Sequence, residues 1–200
     1  MVREKLLELL VRHSYRYDAS ASFELASGKR SKFYVDCKAT TMRGDGQALV
    51  GELVAAHLPA GIQAAGGLTM GADPIAIAVA SYCTRSGRPL NAFSVRKESK
   101  KHGLGRWIEG GVQRGTRVAV IDDVVTTGGS TIDAIKRCRE EGLEVGAVVV
   151  LVDREEEGGL DAIRKEAGPD VTIVRIFRLA ELQARAEAQA PSSGSRSAAG

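Results

Sequence analysis

Aromatic side chains are scarce: four phenylalanines, four tyrosines and one tryptophan in 200 residues. A protein that stacks successive nucleic-acid bases on interleaved rings is therefore not expected. Cysteine is rarer still. Cys37, Cys83 and Cys138 lie far apart, no C-x-x-C occurs, and the odd count argues against a disulfide framework. The three histidines, His13, His57 and His102, match no metal-ligand spacing, so no metal site built by the protein alone is expected. Long apolar runs are missing as well. The opening segment MVREKLLELLVRH carries charges in its first turns and lacks the apolar core and cleavage site of a signal peptide. These absences predict no membrane partner and a reducing, cytoplasmic location. A net charge of +3 is too small and too scattered to predict a nucleic-acid partner.

Glycine, by contrast, is in excess. The 23 glycines exceed the usual ~7% and follow no three-residue period, which excludes collagen. With 44% hydrophobic and 26% charged residues, the chain reads as one soluble globular domain. The surplus glycine then points to turns or to backbone that approaches something closely.

Apolar spacing predicts helices over 3–14, 45–57, 72–85, 130–141, 159–167 and 179–189. Strands are predicted over 62–65, 91–95, 116–122, 145–152 and 171–177, and two short ones within 22–36 around a Ser-Gly-Lys-Arg turn. Residues 97–111, KESKKHGLGRWIEGG, break every periodicity and read as a long exposed loop. The tail 190–200, APSSGSRSAAG, has the composition of a disordered segment. Alternating strands and helices imply an α/β fold: a mostly parallel central sheet flanked by helices, spanning 1–189. Ligands of such sheets sit beyond the carboxyl ends of the strands.

One such end carries chemistry. In VAVIDDVVTTGGST, residues 118–131, an apolar strand runs into Asp122 and Asp123, and Thr126, Thr127, Gly128 and Gly129 turn into a helix at Ser130. Glycines let successive N–H groups point at one spot, the helix N-terminus adds partial positive charge, and the hydroxyls add donors. Together they make a phosphate cradle. The two carboxylates would repel that phosphate. They suit vicinal sugar hydroxyls, or a divalent cation reached through water. The pattern is neither a Walker A loop nor a dinucleotide fingerprint. The plain alternative is an ordinary strand–turn–helix with Ser130 as N-cap.

The segment resembles the phosphoribosyl-pyrophosphate (PRPP) motif of type I phosphoribosyltransferases. A second segment narrows this to the orotate phosphoribosyltransferases: SVRKESKKHGLGRWIEG, residues 94–110, is similar to their R-K-x-x-K-x-H-G catalytic loop through Arg96, Lys97, Lys100, His102 and Gly103. The resemblance extends through ASGKRSKFYVD (26–36), GGLTMGADPIA (66–76) and LVDRE, with Arg154. It implies the type I phosphoribosyltransferase fold with a small N-terminal hood, about 1–40, and a mobile lid, about 97–111. It implies that 5-phosphoribose passes from PRPP to N1 of orotate.

The implied roles follow residue by residue. Asp122 and Asp123 hold the ribose hydroxyls, Thr126, Thr127, Gly128, Gly129 and Ser130 hold the 5-phosphate, and Val124 and Val125 belong to the same PRPP-binding run. Arg96, Lys97, Lys100 and His102 meet the pyrophosphate, and Tyr34, Val35, Thr126 and Arg154 meet orotate. Mg²⁺ is implied, carried chiefly by PRPP and water, and so is a homodimer whose lid reaches across the interface. The glycines at 66–67, 103–111 and 128–129 are expected at three ligand loops.

Some members carry a lysine where this chain has Ala26, and another where it has Met70. Lys29, Arg30, Lys38 or backbone N–H groups are the candidates to replace them. Two other readings are a purine phosphoribosyltransferase, which would lack the 96–103 pattern and Arg154, and a PRPP-sensing regulator, which would need a basic face or a DNA-binding domain.

Overall fold

The computed structural model describes residues 1–24, 28, 30–98 and 107–189. Ala26, Lys29, Lys100, His102, Gly103, Gly105 and the tail 190–200 lie outside them.

Strands β1 (Tyr15–Tyr17), β2 (Phe23–Glu24), β3 (Arg30–Ser31), β4 (Phe33–Val35), β5 (Ala64–Leu68), β6 (Asn91–Val95), β7 (Ile108–Gly110), β8 (Arg117–Val125), β9 (Glu144–Asp153) and β10 (Thr172–Arg178) alternate with helices. The helices are α1 (Val2–Leu9), α2 (Lys38–Thr41), α3 (Gly44–Ala55), α4 (Asp73–Arg85), α5 (Gly129–Glu140), α6 (Gly159–Ala167) and α7 (Leu179–Gln189). A π-helical turn, Leu10–Ser14, extends α1, so the predicted helix over 3–14 is present but changes pitch.

The central sheet has six strands in the order β10-β9-β8-β5-β6-β7, parallel except for β7. Strand alternation explains how both of its faces are buried. Ala119, Ile121, Ala147, Val149 and Leu151 face a core completed by Leu6 and Leu10, by Val50 and Val54 of α3, by Ile75 and Val79 of α4, and by Leu182 of α7. Val118, Val120, Val148 and Val150 face the other way, against Ala134, Ile135 and Cys138 of α5 and Ile163 of α6. Each buried Val, Leu or Ile among them stabilises the fold by roughly 1.5–3 kcal/mol relative to exposure.

The chain order fixes where a ligand can enter. From β5 it passes through α4 to β6 on one side, then crosses back over β5 to β8 and proceeds outward to β9 and β10. The loops after β5 and β8 therefore diverge and leave a crevice between adjacent strands.

Three expectations need correction. Residues 108–110 are not loop but edge strand, with Val95 opposite Ile108 and Phe93 opposite Gly110. Three residues are too few for a periodicity to register. The 22–36 segment is not a single hairpin either: β2 pairs with β3, whereas β4 pairs with the unpredicted β1. Gly66 and Gly67 are not in a ligand loop but inside β5. A Cβ on Gly66 would lie 2.1 Å from the Phe93 carbonyl oxygen, and one on Gly67 2.0 Å from that of Ile121. These glycines serve strand packing.

Candidate functional site

At the end of β8 the chain turns through Thr126 and Thr127 into α5. Gly128 is the N-cap with φ +81°, and a Cβ there would stand 2.7 Å from the Gly159 carbonyl oxygen. The turn thus needs glycine for both backbone angle and space. No side chain caps α5. Ser130 lies inside the first turn rather than at the cap, and it is exposed, as are Thr127 and Gly129. The Gly129 N–H donates to Thr127 Oγ1 at 3.4 Å, and the N-terminus of this twelve-residue helix carries the partial positive charge that suits an anion. Val124 and Val125 present only backbone here, because their side chains pack into the two cores.

Asp122 and Asp123 lie within β8, so their side chains take opposite faces. Asp122 is buried, with Oδ2 accepting from the Thr131 hydroxyl at 2.5 Å and Oδ1 from the Asp123 N–H at 3.0 Å. Burial pushes its pKa up to about 7 against the opposing hydrogen bond from Thr131. Burial also raises Asp123, with the Lys38 ammonium pulling the other way. Asp123 fits only because residue 71 is glycine: a Cβ there would meet its Oδ1 at 2.2 Å. This is the ligand-side glycine after β5, in place of Gly66 and Gly67.

The acids line a cleft of about 250 Å³ whose other walls include Thr69, Met70, Gly71, Lys38, Lys97 and Ser130. Thr69 is fixed by its N–H bond to the Val95 carbonyl, 2.8 Å, and by its hydroxyl bond to Asp73, 2.6 Å. The Thr69–Met70 peptide is cis. Clefts of about 340 and 440 Å³ lie near α6 and α7, lined largely by charged groups. Their Arg3, Arg164 and Arg175 are held in ion pairs with Glu181, Asp161 and Asp153. Size therefore does not select the site. The meeting of two acids, two lysines and the first turn of α5 does.

Lys97 belongs to this cleft in its own chain. Arg96 turns aside: its Nη1 donates to Glu109 at 3.2 Å and its Nε to the Glu98 carbonyl at 3.3 Å, in a neighbouring recess that also contains Thr69 and Lys97.

The expected orotate residues gather near β4. Arg154, only 5% exposed, donates to the Phe33 carbonyl at 3.4 Å and to Ser31 Oγ at 3.2 Å, while its own N–H bonds the Val125 carbonyl at 3.0 Å. It is also forked onto Glu156 at 3.1 and 3.2 Å. Arg154 is thus already paired with a carboxylate, Glu156, two residues along the chain. Tyr34 stands 41% exposed and stacks on Phe23 with centroids 5.6 Å apart. The Val35 side chain is buried in the main core, which leaves its backbone to face a ligand.

Sequence reasoning missed Thr131 as the partner of Asp122 and left Lys38 only as one candidate among several. The place of Thr131 one turn into the helix was the available signal. For metals, the donor set is two adjacent carboxylates in one cleft, and among the described residues no group of three His, Cys, Asp or Glu could hold an ion. Such a set suits a hard cation that arrives with most of its own oxygen ligands.

No family model matches the chain. Curated relatives do. The orotate phosphoribosyltransferase of Aquifex aeolicus is 47% identical over 184 residues, covering 90% of this chain and 97% of that protein. That of Synechocystis is 38% identical, covering 91% and 89%. A crystal structure of the Mycobacterium tuberculosis orotate phosphoribosyltransferase in complex with PRPP superposes with TM-score 0.71 at 34% identity, covering 92% of this chain and 99% of that one. An adenine phosphoribosyltransferase of Trypanosoma brucei, 14% identical with TM-score 0.63, shares the fold alone. With this identity along nearly the whole length, the chain belongs to the orotate phosphoribosyltransferase family.

Proposed function

We infer that this chain transfers 5-phosphoribose from PRPP to N1 of orotate, giving orotidine 5′-monophosphate and pyrophosphate in pyrimidine biosynthesis. The carrying observation is the crevice between β5 and β8, where Asp122, Asp123, Lys38, Lys97 and the uncapped start of α5 converge.

The transition state resembles an oxocarbenium ion, with positive charge on the ribose and growing negative charge on the leaving oxygen. Catalysis is then positioning and electrostatics. Asp122 and Asp123 orient the ribose hydroxyls and favour the cationic ring. Thr126, Thr127, Gly128, Gly129 and Ser130 take the 5-phosphate through backbone N–H and hydroxyl groups. Lys97 meets the pyrophosphate from its own chain, joined by Arg96, Lys100 and His102, of which the last two lie outside the described residues. His102 is the candidate proton donor to the leaving oxygen. Arg154 forks onto the orotate carboxylate, in exchange for Glu156, with Tyr34, the Val35 backbone and Thr126 around the ring.

Mg²⁺ would accompany PRPP, carried chiefly by substrate oxygens and water; Asp122 and Asp123 are the carboxylates that could meet it, and its charge would offset that of the diphosphate. The enzyme works in the cytoplasm as a homodimer whose lid, beyond Lys97, completes the partner's site. Neither nucleic acid nor membrane is a partner. Among the described residues no helix is long and apolar enough to cross a membrane.

The test is direct. The pure protein is mixed with PRPP, Mg²⁺ and orotate, and the orotate absorbance is followed. Parallel reactions with adenine, hypoxanthine and uracil are read by pyrophosphate release. Orotate alone is expected to turn over, and turnover of another base without orotate would overturn the reading.

A further inference from the structure

Two positions at which the resemblance implies a lysine in some family members hold Ala26 and Met70 here. Met70 lines the cleft and is 57% exposed, but a thioether cannot neutralise an anion. The floor of the same cleft holds two carboxylates. A diphosphate entering it must be flanked by cations, and Lys38 and Lys97 are the only ones among the described residues lining it.

Lys38 is held in place from two directions. Its Nζ lies 2.6 Å from Asp36 Oδ1, and its backbone N–H donates to that same oxygen at 3.1 Å. The preceding residue, Cys37, is completely buried, and its thiol donates to the Asp123 carbonyl at 3.6 Å. The start of α2 is thereby fastened to the end of β8, and the root of Lys38 is fixed relative to the acids. Burial works against its charge, but the Asp36 hydrogen bond and the field of Asp123 outweigh it and raise its pKa, so the ammonium stays charged. Its side chain is 37% exposed, open enough to meet a ligand.

We propose that Lys38 binds the diphosphate of PRPP, and the pyrophosphate product, as the cation that stands in for the lysine absent at Met70. This rests on reading the cleft as the PRPP site. A lysine that merely balanced Asp36 and Asp123 would act equally on ligands with and without a diphosphate, whereas a lysine that binds the diphosphate acts only on those that carry one.

Steady-state kinetics in both directions separates these cases. In Lys38→Met the KM for PRPP, and for pyrophosphate in the reverse reaction, rises about tenfold or more, as expected for a lost charge-assisted contact. The KM values for orotate and orotidine 5′-monophosphate stay within about twofold, because neither ligand carries a diphosphate. Lys38→Arg, which keeps the charge, recovers most of the loss and controls for folding. Unchanged KM values for PRPP and pyrophosphate overturn the proposal. So does an equal rise for orotidine 5′-monophosphate, or a Lys38→Arg variant as impaired as Lys38→Met. A wild-type protein with no orotate turnover overturns the functional reading and this proposal together. An active wild type with an indistinguishable Lys38→Met overturns the role of Lys38 alone.

Discussion

Asp122 is an acid kept in a place that disfavours its charge. Its pKa near 7, against an ordinary 3.8, means that the native state binds more protons than the unfolded chain between these two values. Stability supplied by this group therefore falls as pH rises through that window and is level above it. Asp122→Asn removes the slope. Denaturant melts at about pH 5 and about pH 8 are expected to show the variant gaining on the wild type at the higher pH, and parallel curves would refute this. Arg154 makes the second case at this scale. Arg154→Ala is expected to raise the KM for orotate about tenfold or more, the cost of one forked ionic contact, with little change for PRPP. Glu156→Gln is expected to lower the orotate KM, since Glu156 occupies the fork that orotate needs. Kinetics with orotate as the varied substrate checks both. The importance of Arg154 was readable from its place after an apolar strand. Its engagement with Ser31 and Phe33, more than 120 residues earlier, was not.

Helix α5 links two parts of the site. Its N-terminus forms the phosphate turn, while Arg137, two turns on, donates to the Arg96 carbonyl and, at 3.2 Å, to that of Lys97. The same guanidinium lies 4.2 Å from the Trp107 ring centroid, and Glu141, just past the helix, accepts the Trp107 N–H at 3.0 Å. Both stems flanking residues 99–106 are thus clasped by one helix. Arg137→Ala is expected to lower kcat/KM for PRPP about tenfold by releasing Lys97, with a loss of stability of only about 1–2 kcal/mol. Steady-state rates alongside denaturant melts would show it, and a rate loss no greater than the lost folded fraction would count against it. Most elements were legible from the sequence: 159–167 and 179–189 are helices at the predicted bounds, and β9 lies where its apolar run predicts. The misses include β1 and β7, three-residue strands whose existence depends on a partner strand elsewhere, and α2, a four-residue helix too short for an apolar period to register.

For the whole molecule, the order of strands decides that the loops after β5 and β8 face each other across a crevice. The proposed homodimer can be tested against this geometry by subunit mixing. Since Lys97 shares a cleft with Asp123 of its own chain, Lys97→Ala mixed with Asp123→Ala is expected to stay inactive. Lys100→Ala mixed with Asp123→Ala is expected to regain about a quarter of wild-type activity, because half the dimers then hold one complete site. Recovery by the first pair, or by neither, would count against a lid that crosses the interface beyond Lys97.

What the sequence alone determined is the chemistry of 118–131: acids, turn and helix start are contiguous, so their relation survives without knowledge of the fold. The nearly continuous apolar run VGAVVVLV, residues 145–152, likewise declares a strand buried on both faces of a parallel sheet. Only the tertiary structure decided which cations reach the acids. Cys37 and Asp123 are 86 residues apart, and the thiol contact that brings Lys38 into the cleft exists only once the β4–α2 corner packs on the end of β8. It also reassigned the glycines, giving Gly66 and Gly67 to strand packing and Gly71 to the site. Space denied to a side chain is a property of neighbours, not of the residue itself.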